Sequence, residues 1–272
     1  MSLATATRSE LTKQFTTSIW WVLALVLAVY VAFVAAGFGW ALAAVATGSL
    51  PGSTGPALPV DTLPPVIYSV ATSFGYVFPL LIGTLMVTSE FRHKTLTPSF
   101  LATPRRGTVL AGKVVVALAI GALYGVIGTI AAVGPGALVL AASDVPTLLG
   151  ESDTWAMLAR MVLSFALWAL VGLGVGTVVR NQVVAIVLVL AFTQFIEPIA
   201  RVAGAFVAGI EPIARLLPGA AGDALVGSSA LSVAAASATE PLEWWVGGLV
   251  LLGYAVVFLV IGQFTTWRRD VD

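Results

Sequence analysis

The stretch Ile19–Ala46, IWWVLALVLAVYVAFVAAGFGWALAAVA, contains no charged side chain. Bilayer hydrocarbon is about 30 Å thick and a helix rises about 1.5 Å per residue, so roughly 20 apolar residues cross it. The stretch is long enough. It follows a polar start, MSLATATRSELTKQF, and is longer than the apolar region of a cleaved signal peptide. We therefore expect a retained membrane span.

The composition extends this expectation to the whole chain. Of the 272 residues, 59% are hydrophobic and 10% are charged, whereas soluble domains are about 25% charged. Thirteen basic and thirteen acidic residues cannot cover the surface of a soluble fold of this size. The net charge of zero argues against a nucleic-acid partner. We predict an all-α, polytopic membrane protein, with residues 1–272 forming one transmembrane domain.

The first apolar segment, 19–46, is followed by five further ones. Four of them, 64–88, 114–142, 154–179 and 242–266, are long enough to cross a bilayer. The remaining segment, 183–196, is the fifth of the six along the chain. It is short and ends at Glu197-Pro198. By length alone it is either a short span or a re-entrant piece.

The basic residues decide between these alternatives and predict the orientation. If all six segments cross the membrane, ten basic residues lie on one side, and the other side carries most of the acidic residues. Cytoplasmic loops carry the Lys/Arg excess, so we expect six spans with both termini cytoplasmic, in the plasma membrane of a bacterium. The ten are Arg8, Lys13, Arg92, Lys94, Arg105, Arg106, Lys113, Arg180, Arg268 and Arg269.

Residues 1–18, ahead of the first span, mix apolar and charged side chains. Leu11 and Phe15 lie four residues apart and therefore share a face if the segment is helical. This pattern is typical of an amphipathic helix lying in the membrane interface. The alternative is a flexible tail.

An outer segment, 197–241, contains a short repeat. Glu197-Pro-Ile-Ala-Arg201 recurs as Glu211-Pro-Ile-Ala-Arg215, and in both copies Glu and Arg share a helical face. Proline suits a first helical turn, so we expect two short helices in a re-entrant hairpin closed near Leu217-Pro218. An external loop with surface ion pairs is the alternative.

Arg160 is predicted about one and a half turns inside the outer end of the fourth span. A charge at that depth faces a cavity or partner, or it extends to the headgroups. We include it with the four charged residues of the repeat as candidates for gating or translocation: Arg160, Glu197, Arg201, Glu211 and Arg215.

Glycines in the spans favour close helix contacts. Gly121/Gly125 and Gly172/Gly176 each lie four residues apart, a spacing that lets helix backbones approach. Gly134-Pro135-Gly136 is expected to break or kink the third span near its outer end.

Nothing in the sequence indicates catalysis by this chain. Gly107–Lys113 matches the phosphate-binding loop until Val114, where the pattern needs a hydroxyl to bind Mg²⁺. Lys113 is instead expected to extend towards the headgroups at a span end. The single histidine, His93, has no cysteine or carboxylate cluster around it in the sequence, so it predicts no metal site.

The segment between the second and third spans carries a recognisable motif. It reads Glu90-Phe91-Arg92-His93-Lys94-Thr95-Leu96, then Leu101-Ala-Thr-Pro104-Arg105-Arg106, then Gly112-Lys113. It resembles the permease subunits of type-2 ATP-binding-cassette (ABC) exporters, which carry Glu-Phe-Arg-x-Gly-Thr and Leu-x-x-Pro-x-x-Arg stretches at this place. The predicted topology agrees along the whole chain. One departure is Lys94, where the family often has glycine.

The resemblance implies a function and a set of partners. Two permease copies, identical or different, would form the translocation path. Each would dock a separate ATPase subunit that holds ATP and Mg²⁺, so this chain would itself have no cofactor and no enzymatic activity. Residues 90–113 would form the coupling loop, with an ATPase interface formed by Glu90, Phe91, Arg92, Thr95, Arg105 and Arg106. The alternative is an ion-coupled secondary transporter that needs no ATPase; the transported substrate stays open.

Overall fold

The structure, a computed structural model, describes residues 2–48, 59–95, 106–206, 211–234 and 242–265. An N-terminal helix precedes six helical segments that are long and apolar enough to cross a membrane, the number predicted. In lipid a chain must satisfy its backbone hydrogen bonds internally, which is why apolar runs of this length form helices. The spans are Ile19–Ala46, Val60–Arg92, Arg106–Ala142, Ser152–Val178, Gln182–Gly204 and Trp244–Thr265.

Two of the spans contain irregular turns. The second begins with a 3-10 turn, Val60–Thr62, and the fifth contains a π-helical turn, Phe192–Ile196. The α-helices are α1 (Leu3–Thr16), α2 (Ile19–Ala46), α3 (Leu63–Tyr68), α4 (Val70–Gly75), α5 (Val77–Arg92), α6 (Arg106–Ala142), α7 (Ser152–Val178), α8 (Gln182–Ala191), α9 (Glu197–Phe206), α10 (Glu211–Arg215), α11 (Pro218–Val226), α12 (Ala230–Ala234) and α13 (Trp244–Thr265).

The second and fourth spans form the centre of the bundle. In their most apolar windows 83% of the residues are buried, compared with 22% in the first, fifth and sixth spans. The fourth span packs against the second, third and sixth, while the first packs on the third and the fifth on the second. The outer spans expose large apolar side chains such as Phe33, Val187 and Leu249. An apolar surface of this extent needs lipid or another membrane protein against it.

Glycines allow the central helices to approach closely, as their spacing predicts. A Cβ added at Gly121 would lie 2.7 Å from the Cα of Ala166, and one at Gly125 would lie 2.8 Å from the Cα of Val162. A Cβ at Gly172 would overlap the carbonyl oxygen of Leu80. The contacts of the fourth span with the second and third are therefore backbone to backbone.

The fifth span is longer than the predicted 183–196, and this corrects the expectation of a short span. The helix continues through Glu197 and Pro198 to Phe206. Proline has no N–H and its ring collides with the carbonyl four residues earlier, here that of Gln194. The π turn Phe192–Ile196 widens the helix at that place, and the N–H of Glu197 bonds the carbonyl oxygen of Phe192. The helix therefore accommodates the proline without ending.

The third span also continues where a break was expected. Helix α6 runs from Arg106 to Ala142 with Pro135 inside it. Gly136 packs against the second span, since a Cβ there would lie 2.8 Å from Ile67. Packing of this kind supports a helix that lacks one internal hydrogen bond, and membrane helices tolerate proline for this reason. The helix is therefore not broken at Gly134-Pro135-Gly136, and the kink that was the alternative stays a prediction.

The outer segment begins later than predicted, because 197–206 belongs to the fifth span. Only the second copy of the repeat forms a separate short helix, Glu211–Arg215. Helix α11 then lies buried against the fourth and sixth spans, where Gly247 permits its close approach. The segment is thus partly enclosed by the bundle. Residues 207–210 and 235–241 lie outside the described part of the chain.

The glycine contacts generate a stability prediction. Gly172→Ala would push the second and fourth spans apart, and we expect it to cost about 1–3 kcal/mol of stability. The measurement is thermal unfolding in detergent, followed by the far-UV circular dichroism of the purified protein. Gly253→Ala is the matched control, because no atom lies within 4 Å of a Cβ at Gly253. Equal melting temperatures for the two variants would contradict this account of the packing.

Candidate functional site

Basic side chains collect at one end of the bundle, which we name the basic end. Lys13 and Lys113 meet there through shared carboxylates, and Arg92, Lys94 and Arg180 line one groove. These residues come from α1, from the end of the second span, the start of the third and the connection from the fourth to the fifth. The antiparallel order of the spans brings them together, as their alternation in the sequence predicts.

A buried charge cluster, formed by Glu10, Lys13, Glu90 and Lys113, joins three of these elements. Nζ of Lys113 lies 2.5 Å from Oε2 of Glu10 and 2.9 Å from Oε2 of Glu90. Nζ of Lys13 lies 2.7 Å from Oε1 of Glu10 and 2.9 Å from Oε1 of Glu90. Each ammonium group therefore bridges both carboxylates, and the cluster has no net charge.

Lys113 is the most enclosed member of the charge cluster. Its side chain is fully buried, and its ammonium also donates to the carbonyl oxygen of Met86 at 3.3 Å. The expectation that Lys113 extends to the headgroups is therefore wrong. The reason is the N-terminal helix, which covers the start of α6 and supplies Glu10 as the nearest acceptor.

A small residue on α1 and another on α6 allow the N-terminal helix to pack closely on the start of α6. A Cβ at Gly112 would lie 3.2 Å from the backbone of Ala6 and 3.3 Å from its Cβ, and Ala6 is itself buried. Ser2 caps the helix, since its hydroxyl accepts a hydrogen bond from the N–H of Thr5 at 3.3 Å. The N-terminal segment is thus a helix, as predicted, and it is packed on protein along its Glu10 face.

The electrostatics of the charge cluster depend on all four groups. Burial opposes the charged form of Glu10, but Lys113 and Lys13 outweigh it, so the net effect lowers the pKa of Glu10. Burial likewise opposes the charged form of Lys13, and the carboxylates of Glu90 and Glu10 outweigh it and raise the pKa of Lys13. Removing one partner from a buried pair leaves an uncompensated charge, which costs more than the pair contributes.

The second span ends in a turn beside the charge cluster. The N–H of Thr95 bonds the carbonyl oxygen of Glu90 at 3.0 Å, and that of Lys94 bonds the carbonyl oxygen of Phe91 at 3.3 Å. These two hydrogen bonds form the Schellman motif, which ends many helices. The motif places one residue, here Lys94, in the left-handed region of backbone conformation. Lys94 has a φ of 53°, and glycine adopts such a φ without strain. Lys94 therefore occupies the position where the type-2 family often has glycine.

The structure separates the residues predicted for an ATPase interface. Glu90 points into the charge cluster and Phe91 packs partly against the core, whereas Arg92 is exposed. Arg106 is half-buried in the first turn of α6, so residues 90–92 and 106–113 of the predicted coupling loop belong to the second and third spans. Arg105 lies outside the described residues.

A groove opens beside this turn, with a volume of about 560 Å³. Among the described residues that line it, Arg92, Lys94 and Arg180 carry positive charge and none carries a carboxylate. Arg180 was not among the residues predicted for the interface. The signal in the sequence was its place on the basic side of the chain. The full lining is Phe91, Arg92, Lys94, Arg180, Asn181, Gln182 and Val183.

A second set of buried charges lies towards the opposite end. The carboxylate of Glu197 accepts hydrogen bonds from the N–H groups of Gly219 and Ala220, at the start of helix α11. Negative charge is favourable there because the first N–H groups of a helix lack partners. Arg201, one turn on, pairs with Asp223 at 2.7 Å. The fifth span is therefore held to α11 at two points.

The Glu–Arg repeat is used in two different ways. Arg215 pairs with Glu211 within one helical turn, whereas Arg201 pairs with Asp223. The sequence did not single out Asp223, which also accepts from the hydroxyl of Ser229 at 2.7 Å. Its only signal was an acid inside an Ala- and Gly-rich segment.

Arg160, the remaining candidate, is half-buried at the same end as Asp223. Its guanidinium carbon lies 5.8 Å from the centre of the Trp244 ring, a favourable cation–π distance. Within the described part of the chain, no group of three or more His, Asp or Glu side chains could hold a metal ion.

The charge cluster predicts that Glu10 holds the N-terminal helix in place. Glu10→Gln leaves Lys113 with one carboxylate fewer, so the helix should detach. The chain has no cysteine, so introduced cysteines can report docking. Ala6→Cys with Gly112→Cys should form a disulfide in the otherwise unchanged protein, because the Cβ separation is near the value that a disulfide needs. We expect Glu10→Gln to slow this disulfide at least about tenfold at fixed pH.

Two comparisons make the crosslinking specific. Ala6→Cys with Gly107→Cys should not crosslink, since a Cβ at Gly107 has no atom within 4 Å. Arg8→Gln, an exposed charge on the same helix, should leave the rate unchanged. An unchanged rate in Glu10→Gln would show that packing alone holds the helix.

Docking of the N-terminal helix should also depend on pH. The pKa of Glu10 is lowered in the fold, so its contribution to docking is present above the ordinary carboxyl pKa and is lost as pH falls through the lowered value. The pKa of Lys13 is raised, so its contribution is lost only as pH rises through that raised value. Spin labels at Ser9 and Gly107 should show one narrow distance distribution at neutral pH and a broad one in acid.

The double variant Glu10→Gln with Glu90→Gln provides the control for this experiment. It has no carboxylate left in the charge cluster to titrate. Its distance distribution should therefore be broad already at neutral pH and should not change in acid. A distribution that stays narrow in acid for the unaltered protein would contradict the electrostatic account.

Comparison with known proteins does not assign the chain to a family. No family model matches it, and no curated protein shows significant sequence similarity to it. The function must therefore be argued from the residues and their arrangement.

Proposed function

We propose that this chain is the permease subunit of an ABC transporter of the type-2 class, exporting its substrate across a bacterial plasma membrane. A separate ATPase subunit docks at the basic end, which faces the cytoplasm together with both termini. A second permease, the same chain or a related one, completes the translocation path. ATP and Mg²⁺ belong to the ATPase subunit.

The observation that carries the proposal is the position of the Glu90–Lys113 segment. Its sequence has the family's motif, and both of its ends meet in the charge cluster with the N-terminal helix. A force applied to the segment therefore acts on the second and third spans together. Lys113 is also bonded to the backbone at Met86, within the central second span. This arrangement suits a joint between a moving partner and the bundle.

The groove at the basic end supplies the docking chemistry. Its exposed cations, above all Arg92, attract an acidic surface, and arginine is the side chain that most often dominates such an interface. Glu90 has a different role in this proposal from the direct contact first expected. It positions the turn, and Arg92 contacts the ATPase subunit.

The remaining surfaces suit a membrane assembly. The first, fifth and sixth spans expose apolar faces, and such faces meet either acyl chains or the second permease. The excess of cations at one end follows the rule that basic residues stay in the cytoplasm. We assign the cytoplasmic orientation on this ground.

A co-purification experiment tests the proposal and separates the two roles. An ABC ATPase subunit that is co-expressed with the unaltered chain should be retained by it during purification. Arg92→Ala should weaken retention about tenfold or more, while the disulfide between the cysteines introduced at positions 6 and 112 still forms. Glu90→Gln should weaken both. Loss of an exposed charge at the opposite end, Asp153→Ala, is the control and should change neither.

Transport into vesicles completes the test. Inside-out vesicles with both subunits should accumulate cargo only when ATP is supplied. Full retention of the ATPase subunit by both Arg92→Ala and Glu90→Gln would rule out coupling through this segment.

One observation favours the alternative, an ion-coupled secondary transporter. Glu197 is a buried carboxylate inside an irregular span, and such groups often bind coupling ions. Its contacts with the N–H groups of Gly219 and Ala220 give it a structural role that needs no ion. Cargo movement driven by a proton gradient in vesicles that lack ATP would favour this alternative over the ABC permease.

A further inference from the structure

A cavity of about 220 Å³ lies between helix α11 and the ends of the second and sixth spans, away from the basic end. Its polar wall contains two guanidinium groups, one carboxylate and three hydroxyls. Its other wall is apolar. The polar side chains are Arg201, Arg215, Asp223, Ser228, Ser229 and Ser232, and the larger apolar ones are Val66, Val233 and Leu242.

One arginine that lines this cavity, and a second arginine near it, each have a buried nitrogen atom without an acceptor among the described residues. The Nε atoms of Arg215 and Arg160 are both buried, and neither has a hydrogen-bond partner among the described residues. Arg160 does not line the cavity itself but lies next to a lining residue, since a Cβ added at Gly227 would lie 3.6 Å from its guanidinium. Buried donors without acceptors are rare, and each needs an oxygen from elsewhere.

The carboxylate of Asp223 does not supply the missing hydrogen-bond acceptor. It is paired with Arg201 at 2.7 Å and accepts from Ser229 at 2.7 Å. Arg215 is paired with Glu211, but nearly half of the Glu211 side chain is exposed, and water weakens such a pair. The lining itself holds two cations and one anion, so it favours an anionic group.

The depth of the cavity indicates where that group comes from. Leu242 precedes the sixth span directly, and Trp244, beside Arg160, is half exposed at its start. Indole rings prefer the membrane interface, which is the depth of the lipid headgroups. The apolar wall offers a place for the first part of an acyl chain.

We propose that this cavity binds an amphiphile with an oxyanion headgroup, held by Arg215 with the chain along the apolar wall. The binding rests only on placement of the chain in a membrane. That such amphiphiles are the transported cargo rests, in addition, on the proposed permease function.

Direct binding to the purified chain, without the ATPase subunit, tests the site. The probe is lysophosphatidic acid, compared by native mass spectrometry with a monoacylglycerol of the same chain length. Arg215→Gln should weaken binding of the phospholipid about tenfold or more, the loss of a charge-assisted hydrogen bond. Ser232→Leu should abolish it by filling the cavity without removing a charge. Arg180→Gln, in the groove at the basic end, is the matched control and should bind normally.

The outcomes separate this site from the permease function and from simpler ligands. Inorganic phosphate should bind far more weakly, since it gains nothing from the apolar wall. Equal binding of phosphate and the phospholipid would contradict the proposal that the ligand is an amphiphile. Equal binding of the two lipids would contradict the proposal that its headgroup is an oxyanion. Wild-type affinity in both Arg215→Gln and Ser232→Leu, each with an unchanged melting temperature, would overturn the site. Loss of ATPase coupling would affect none of these measurements.

Discussion

The ammonium of Lys113 is enclosed at the end of an apolar bundle, and the arrangement of the basic end follows from the need to neutralise it. A buried cation of this kind is stable only with carboxylates at contact distance. Glu90 supplies one from the end of the second span, and Glu10 supplies the other from the N-terminal helix. The helix that precedes the membrane domain is therefore part of its electrostatic structure, and Lys13 completes the neutrality of the cluster.

The two ends of the bundle solve the same problem by different means. At the basic end, charges from separate elements neutralise one another side chain to side chain. At the opposite end, Glu197 is stabilised by the backbone N–H groups at the start of α11, and Asp223 pairs directly with Arg201. Both solutions connect a span to a shorter element that does not itself cross the bundle. The charges thereby add to the packing that fixes the short elements in position.

Length and apolarity predicted five of the spans at approximately their observed positions, because the bilayer sets the length of each element, and the distribution of basic residues added the sixth. The glycine spacing predicted the close contacts at Gly121 and Gly125 for a similar reason, since a local pattern on one helix decides how near a neighbour can come. The length of the fifth span was not predictable, because a π turn at Phe192–Ile196 let the helix pass Pro198. The burial of Lys113 and the role of Asp223 depend on partners 103 and 22 residues away. Such pairings are set by the three-dimensional packing and leave no mark in a local pattern.

The glycine contact between the second and fourth spans limits how the bundle can change shape. Gly83, Gly172 and Gly176 place backbone against backbone, with no side chains between them whose rotamers could yield. Sliding along such a surface would strain peptide groups directly. The second and fourth spans therefore behave as one rigid unit. Rearrangement is left to the lightly packed helices around it. Of these the fifth span is the irregular one, because the extra residue of its π turn, Phe192–Ile196, turns everything that follows by about 100° relative to a regular α-helix.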